Sequence, residues 1–416
     1  MRFIADFHIH SKYSRATSKE MEVESLARWA KKKGIALLGT GDFTHPTYLA
    51  ELRSKLEPFG NGLLRLKKDD QGVRFIFTTE LCNIFTQGGK SRRIHNLIFA
   101  PSFEVVQAIA SKLGNFGKLS SDGRPIFGFS AKDLVKMILD ISADCMIIPA
   151  HAWTPWFSIF GANSGFDSME ECFGEMSPFI YAIETGLSSD PEMNWRLSSL
   201  DRITLISNSD AHSPNRLGRE ANAFEGPLDY KEIVETLRTK DRKRFLFTVE
   251  FFPEEGKYHY DGHRDCGVIF SPSETKTHQS LCPKCKKKLT IGVMHRVEEL
   301  ADRPAGFIPK NAIPSIHLIP LDEVLAEALG HKVGTKAVET EYERLVERGG
   351  SEFQILLDAS PDELASFVPP RVLEAIIRMR QGKVSVVPGH DGVYGKISLF
   401  PEEKEGEKPK EQLKLF

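Results

Sequence analysis

From the first residue to about residue 255 the chain repeats one pattern, a short apolar run followed by a loop or by a stretch of helical periodicity. The runs are FIADF, ALLGT, VRFIFTTE, RIHNLIFA, CMIIPA, YAIET and TLISNSD, seven in all. Alternation of this kind argues for βα units, and therefore for a parallel sheet or barrel. Two of the intervening helices carry start signals. Met21 to Lys33 is opened by the polar Thr17-Ser18-Lys19-Glu20, and Ala131 to Asp140 has Ser130 before it as an N-cap. The expected fold class is α/β, with the barrel spanning residues 1–255.

The character of the chain changes after Phe252. Residues 256–305 are polar and rich in histidine and cysteine, and residues 306–398 take on helical periodicity in EVLAEALG, TEYERLVERG, ELASFV and RVLEAIIRMR. Residues 399–416 end in PEEKEGEKPKEQLKLF, a charged, Pro-broken stretch expected to be a flexible tail. A length of 416 residues accommodates two or three domains, and 41% hydrophobic with 27% charged residues is ordinary soluble composition. No signal peptide and no apolar run of roughly 18 to 20 residues is visible, so a cytoplasmic protein with no membrane contact is expected. The net charge of −2 neither supports nor excludes nucleic-acid binding, which must come from local patches.

Only six of the thirteen histidines precede residue 259: His8, His10, His45, His95, His151 and His212. Five stand at or just past the carboxyl end of a predicted strand, the side on which βα barrels assemble active sites, while His95 lies inside its apolar run. His8 and His10 are two apart in an extended segment, so both rings share a face. Asp210 and His212 repeat that spacing. Asp42, Glu80 and Glu184 take comparable strand ends and add hard oxygen ligands. The mixed set suits two or three divalent cations (zinc, manganese or magnesium) and hydrolysis of a phosphate ester by metal-activated water. Arg92, Arg93 and Arg216 lie near these motifs as phosphate-clamp candidates.

In the second half, His263-Arg-Asp-Cys266 is followed after fifteen residues by Cys282-Pro-Lys-Cys285. Paired short spacings of this kind predict a structural zinc knuckle, with His259 and His278 competing with His263 for the fourth position. Lys284 and Lys286-Lys287-Lys288 would then be presented on a rigid turn, where they favour phosphate contacts.

The motifs DFHIHSKYS, TGDFTH, TTELCN, PAHAW and NSDAH resemble those of the polymerase and histidinol phosphatase (PHP) superfamily over about the first 250 residues. The resemblance implies a distorted seven-stranded βα barrel with a trinuclear metal site. Its implied ligands are His8, His10, Asp42 or His45, Glu80, His95, His151, Asp210 and His212, with Asp210, His212, His151 and Glu80 closest to the chemistry. Phe43 and Thr44 separate Asp42 from His45, which leaves that choice open, and Arg15-Ala16-Thr17 stand where the family often has an acid. Glu184 is a ligand or a support for one. Barrel, knuckle, TIGVMHRVEELADRP and helical region in that order resemble the endonuclease Q family across nearly the whole chain.

That family cuts DNA 5′ of deaminated bases such as uracil, hypoxanthine and xanthine, and at abasic sites. Such an enzyme has to flip a base into a pocket, and Trp153, Trp156 and Phe157 after His151 are expected either to wall it or to pack in the core. Lys286 and Lys287 are expected on phosphates. The terminal Gln412-Leu413-Lys414-Leu415-Phe416 looks like the pentapeptide by which bacterial DNA enzymes dock on the sliding clamp. Two alternatives remain at this level: a small-molecule phosphatase of the histidinol-phosphate kind, and a non-catalytic barrel carrying a DNA-binding module.

Overall fold

The computed structural model describes residues 1–400, so the expected clamp motif at Gln412, Leu413, Leu415 and Phe416, like most of the expected tail, lies outside the described residues. All seven apolar runs form strands: Arg2–Asp6, Ile35–Gly39, Arg74–Gln87, Lys90–Ala100, Met146–Pro149, Ala182–Glu184 and Thr204–Ile206. The first three pair in parallel, as do the last two. Ala152 N–H reaches Glu184 O at 2.9 Å, joining Met146–Pro149 to its successor. A parallel bridge between Ile9 and Ala211, with Phe7 N–H donating to Asn208 Oδ1 at 2.9 Å, closes the ring.

The strands are not all parallel, as strict βα alternation would require. Arg74–Gln87 and Lys90–Ala100 form an antiparallel hairpin with no helix between them. Gly88 and Gly89, both at positive φ, make the two-residue turn whose twist suits a hairpin. Lys90–Ala100 therefore runs against its neighbours on both sides, and Met146–Pro149 restores the original direction. This reversal is what distorts the barrel. On the far side of Arg2–Asp6 the sheet continues antiparallel through Ala221–Glu225 and Phe245–Glu250, and then in parallel to Ser315–His317.

The helices cover the sheet by burying one face each. Val23–Lys33 buries Val23, Leu26, Ala27 and Ala30 and stops at Gly34, which takes φ +90 where a side chain would be strained. It begins two residues later than expected, with Glu22 as an uncapped N-terminus. Ala131–Ile141 begins as expected, Ser130 accepting from Asp133 N–H.

Beyond residue 320 the helices Leu321–Leu329, Lys336–Gly349, Pro361–Ala365 and Pro370–Arg380 pack together, broken at the expected prolines. Two parts of the expected helical region are not helical. Ser315–His317 joins the main sheet, and Ser385–Val387 pairs with Lys396–Ser398 as a hairpin whose turn lies on the cysteine-bearing segment. There Arg264 N–H donates to Asp391 Oδ2 at 2.8 Å, and Tyr260 bridges to His390. Among the described residues no helix is long and apolar enough to cross a membrane.

A buried ion pair fastens the helical region to the barrel. Lys33 Nζ lies 2.6 Å from Glu352 Oε2, which also accepts from Tyr342 Oη at 2.7 Å, while Oε1 accepts from Leu321 N–H at 3.1 Å. Removing one partner of a buried pair strands the other charge, at a cost of about 3–5 kcal/mol. Lys33→Ala should therefore destabilise the chain by about that amount in urea denaturation; a loss below about 1 kcal/mol would mean that Glu352 stays solvated or is paired otherwise.

Candidate metal centre

Two groups of side chains meet at the carboxyl ends of the barrel strands, and one carboxylate belongs to both. His8, His10 and Asp210 form the first: His10 Nε2 lies 3.1 Å and His8 Nε2 3.7 Å from Asp210 Oδ1. Glu80, His95 and His151 form the second, Glu80 Oε1 lying 2.6 Å from His95 Nδ1 and 3.0 Å from His151 Nε2. Glu80 Oε2 faces the first group, 3.4 Å from His10 Nε2 and 3.8 Å from His8 Nε2.

Strand geometry explains the convergence. His8 and His10 share a face because side chains alternate. Cys82 sits directly opposite His95 in the hairpin, and Glu80, two residues back, shares its face. Glu80 is thus in the interior of a fourteen-residue strand, not at a strand end as expected. His151 and Asp210 do stand just past strand ends, at φ +30 and +46, in backbone space that few non-glycine residues occupy. Such strain is held only where the surroundings over-determine it. Gly186 shows how tightly His151 is held, since a Cβ there would fall on the His151 Cβ.

Behind the ligand-facing atoms stands a shell of carboxylates. His8 Nδ1 bonds to Glu184 Oε2 at 2.9 Å, and Glu184 also accepts from His151 N–H at 2.8 Å and from Asn208 Nδ2 at 2.9 Å. His10 Nδ1 bonds to Asp42 Oδ1 at 3.0 Å, while Asp42 Oδ2 accepts from Ser11 N–H, Ser11 Oγ and Ser14 Oγ at 2.6, 2.7 and 2.9 Å. Each Nδ1 is engaged, so each Nε2 points its free valence into the centre. Asp6 fixes the loop that carries Asp210, accepting from Ser209 N–H at 3.1 Å and Gly218 N–H at 3.0 Å. Burial nevertheless pushes its carboxyl up to about 6.

The electrostatics are those of a site built around positive charge. Burial alone would lower His8 and His10, but the carboxylates of Glu184, Glu80 and Asp210 around the one and of Asp42 beside the other hold both well above the ordinary histidine value. Burial would raise Glu80, yet His95, Arg124 and His8 keep it well below the carboxylate range. Burial dominates at His95 and pushes it down to about 4, leaving a neutral ring with a lone pair. His8 Nε2, His10 Nε2 and Asp210 Oδ1 are buried with no hydrogen-bond partner, and His95 Nδ1 and His151 Nε2 face each other at 3.2 Å. Bare ligand atoms converging on one space, with His8 and His10 braced from behind by carboxylates and His151 by the Thr154 hydroxyl, fit divalent cations.

Neither Asp42 nor His45 is among the converging atoms. Asp42 has both oxygens occupied behind His10. His45 caps the helix Pro46–Lys55, its Nδ1 accepting from Tyr48 N–H at 3.4 Å and its ring stacked on Tyr13 at 4.4 Å. His212 lies at the rim, its ring 4.7 Å from that of His10 and its Nδ1 bonded to Asp210 O at 2.9 Å. Of the arginine candidates, Arg92 is buried against Phe166 and paired with Glu171, and Arg216 is paired with Glu323 of the helical region; neither faces the centre.

The arginine that does reach the centre is Arg124, which no motif indicated. Its Nη1 lies 2.9 Å from Glu80 Oε2. The short strand Ile126–Phe127 pairs in parallel with Cys82 and Asn83 and so brings Arg124 alongside Glu80. Gly123 is required beside it, because a Cβ there would fall on Ser14 Oγ and Asp42 Oδ2.

A solved structure of a lesion-specific endonuclease, endonuclease Q from Pyrococcus furiosus, matches this chain with TM-score 0.85 and 33% identity, covering 96% of this chain and 95% of that one. A second, endonuclease Q in complex with a 27-mer duplex that has an abasic lesion at the active site, matches with TM-score 0.84 and 34% identity over 97% of both chains. Uncharacterized protein YqxK of Bacillus subtilis (strain 168) is 30% identical over 411 residues, 95% of this chain and 99% of its own. The chain belongs to the endonuclease Q family. Uncharacterized protein MJ0043 of Methanocaldococcus jannaschii is 36% identical over 262 residues, 61% of this chain but 32% of that protein, so the chain spans about a third of that relative's length. The family model for the MJ0043 C-terminal domain matches residues 320–383.

In this endonuclease Q family member the cysteine segment forms a second metal-competent centre. One ligand atom from each of His263, Cys266, Cys282 and Cys285 lies within 4.8 Å of the others, and His263 Nε2 is 4.0 Å from Cys285 Sγ. The competing histidines are turned elsewhere, His278 stacking on Phe270 at 4.7 Å and His259 on Tyr260 at 5.1 Å. Three thiols and one imidazole fit zinc. Lys284, Lys286, Lys287 and Lys288 are exposed on its turn. Arg296 secures the segment to the barrel through the carbonyls of Phe160 and Phe166, both at 3.1 Å.

Of the two tryptophans expected in a base pocket, Trp153 is 1% exposed, packs on Phe160 and donates to Asn194 Oδ1 at 2.8 Å, so it is a core residue. Trp156 is 46% exposed and stands edge-on to Tyr258 at 6.3 Å.

Asp42→Asn should weaken divalent-metal binding about 10–100-fold in chelator competition, because it removes the carboxylate that orients His10. An unchanged affinity would exclude that role. Cys282→Ser should lose one equivalent of zinc by elemental analysis and leave the barrel metals in place; full zinc retention would exclude the cysteine group.

Proposed function

We propose that this chain is a metal-dependent endodeoxyribonuclease that hydrolyses the phosphodiester bond on the 5′ side of deaminated bases (uracil, hypoxanthine, xanthine) and abasic sites. The observation that carries the reading is the Glu80 carboxylate shared between two histidine groups, in a chain matched over 97% of its length by endonuclease Q in a structure that holds a duplex with an abasic lesion. His8, His10 and Asp210 would hold one cation, and Glu80, His95 and His151 a second, with zinc, manganese and magnesium all compatible with the donor set. When bound, such cations supply Lewis acidity to the phosphate oxygens and an acidified water.

The remaining work falls to the chain's own groups. Glu184 and Asp42 keep the His8 and His10 rings in the tautomer that presents Nε2. Among the described residues Arg124 is ion-paired with Glu80 alone, so a bound phosphate oxygen can share its guanidinium and draw its charge onto the scissile group. His212 is half-exposed, and its Nδ1 donates to Asp210 O, which leaves Nε2 facing the rim to exchange a proton with substrate.

Beside the centre, Trp156 and Tyr258 offer rings to an extruded base, and Lys257 lies over Tyr258 and Tyr394 at 5.8 and 5.6 Å. Exposed rings next to lysines suit stacking on bases along a phosphate backbone. Tyr394 is 73% exposed on the turn that rests against the cysteine segment, and Lys286 and Lys287 extend the basic surface to which duplex DNA would bind. The C-terminal Gln412, Leu413, Leu415 and Phe416 would tether the enzyme to the sliding clamp and so to the nucleoid.

The full chain, supplied with Mn²⁺, Mg²⁺ or Zn²⁺, should nick an end-labelled duplex immediately 5′ of a single uracil, hypoxanthine or abasic site. No incision, accompanied by turnover of a small phosphomonoester, would replace this reading with a phosphatase. Arg124→Ala should lower the incision rate about 10²–10³-fold, the usual effect of deleting one donor to a developing charge; an unaltered rate would leave Arg124 a purely structural partner of Glu80. Deleting Gln412 to Phe416 should abolish clamp binding in a pull-down without changing incision of short duplexes, and retained binding would refute the tether.

A further inference from the structure

A third group of metal-competent side chains lies away from both centres, where the loop after Ala182–Glu184 meets the strand Ser315–His317. Ligand atoms of Asp190, Glu192 and His317 lie within 4.8 Å of one another, with His317 Nε2 3.3 Å from Asp190 Oδ2. The pieces are positioned independently. Asp190 Oδ1 caps the turn Pro191–Asn194, accepting from Met193 N–H at 2.9 Å. Glu192 Oε1 accepts from Ser315 Oγ at 2.9 Å, and the His317 ring rests on Phe252 at 5.2 Å.

Each carboxylate thus spends one oxygen on the fold and leaves the other facing the group. Glu192 Oε2 is buried with no hydrogen-bond partner. Behind it stands Glu250, 0% exposed, whose Oε2 accepts from Thr185 Oγ1 at 3.1 Å and whose Oε1 likewise has no partner. Glu250 is paired in register with His317 in the parallel ladder, so both side chains leave the same face of the sheet. Three carboxylates therefore surround one imidazole in a largely buried space, with Glu220 beyond Glu250 and His259 beside Asp190. Buried charges of one sign persist only when a cation or shared protons neutralise them.

We propose that Asp190, Glu192 and His317 bind a divalent first-row cation, of the manganese or zinc class, that ties the strand Ser315–His317 to the barrel. Two carboxylate oxygens and one imidazole nitrogen are the donors that such ions accept, and bonds near 2.1 Å set ligand atoms about 3–4 Å apart, so side chains that stand within 4.8 Å of one another would draw in slightly around the ion. The ion would sit behind the active centre, not in it. From Glu250 the chain of contacts runs through Thr185 to Glu184, the partner of His8. The rival is neutralisation by protons, on Glu250, on Glu192 and on the His317 ring, which its carboxylate neighbours hold above the ordinary histidine value against burial.

Crystals of the full chain equilibrated with Mn²⁺ and measured at the manganese and zinc absorption edges test this directly. The expected result is an anomalous peak enclosed by Asp190, Glu192 and His317, in addition to those at the barrel and cysteine groups. Peaks at the latter groups with none at this one, at either edge, would overturn the proposal. In solution, Glu192→Gln and His317→Gln should each bind one equivalent less metal by elemental analysis after dialysis against Mn²⁺, and should lose part of the metal-induced rise in Tm. Undiminished stoichiometry in a folded variant would favour protons and sink the idea. If a variant does not fold, the anomalous peak in the unaltered chain decides. Neither readout depends on incision, so the test stands whether or not the nuclease reading holds.

Discussion

The sharing of Glu80 between two sets of imidazoles is the interaction around which the barrel is arranged. A carboxylate sealed from water among His8, His10, His95, His151 and Arg124 is tolerable only because the positive charge of Arg124 and of the His8 and His10 rings offsets it, with the His95 and His151 rings against its other oxygen. That requirement draws groups from four separate segments to the strand that carries Glu80. It also explains the reversed strand, because only an antiparallel partner to Arg74–Gln87 sets His95 across from Cys82 and within reach of Glu80. The distortion of the barrel and the geometry of its centre have one cause, the two-residue Gly88-Gly89 turn.

Around this point the chain accepts backbone strain in exchange for placement. Asp42, His151 and Asp210 are all non-glycine residues at positive φ, and all belong to the centre or stand directly behind it. Conformations of this kind cost on the order of 1–3 kcal/mol each, so the surroundings have to hold them. Asp6, Glu184, Arg219 and Gly186 do so, through hydrogen bonds to the loop backbone or through contacts that leave no room for relaxation. A polar interior this dense is stable only when nearly every atom has a partner, which makes the few bare atoms informative. His8 Nε2, His10 Nε2 and Asp210 Oδ1 are bare together because they face a common space.

The parts beyond the barrel are attached by contacts of a different kind. Arg296 reads carbonyl groups of the barrel loops, Lys33 and Glu352 join the first helix to the last domain, and Arg380 bonds to the carbonyls of Ile355, Leu356 and Ala359 at 2.7 to 2.9 Å, holding the turn of that domain in place. These bonds fix where the cysteine segment and its lysines stand relative to the centre. Trp156 and Tyr258, one from each side of the seam, meet there. That contact exists only because bonds such as those of Arg296 join the two parts.

Much of this was legible in the sequence wherever function follows from local covalent geometry. Two histidines two residues apart in an extended segment must share a face, CxxC must bring two thiols together, and seven apolar runs became seven strands at the expected places. Ranking within the site was not legible. Asp42 and His45 are three residues apart, and which one supports a ligand depends on where Ser11, Ser14 and His10 lie in space. Trp153 and Trp156 differ in role because one ring turns into the core toward Asn194 and the other does not. Arg124 had no motif, for it reaches Glu80 only through pairing of Ile126–Phe127 with a strand forty residues earlier. The sequence by itself determined the strands, the ligand types and their short-range spacing, since these rest on side-chain alternation and donor chemistry. Tertiary structure alone decided which atoms converge, because shifts of two or three ångströms separate a ligand from its support, and such distances are set by the packing of segments far apart in the chain.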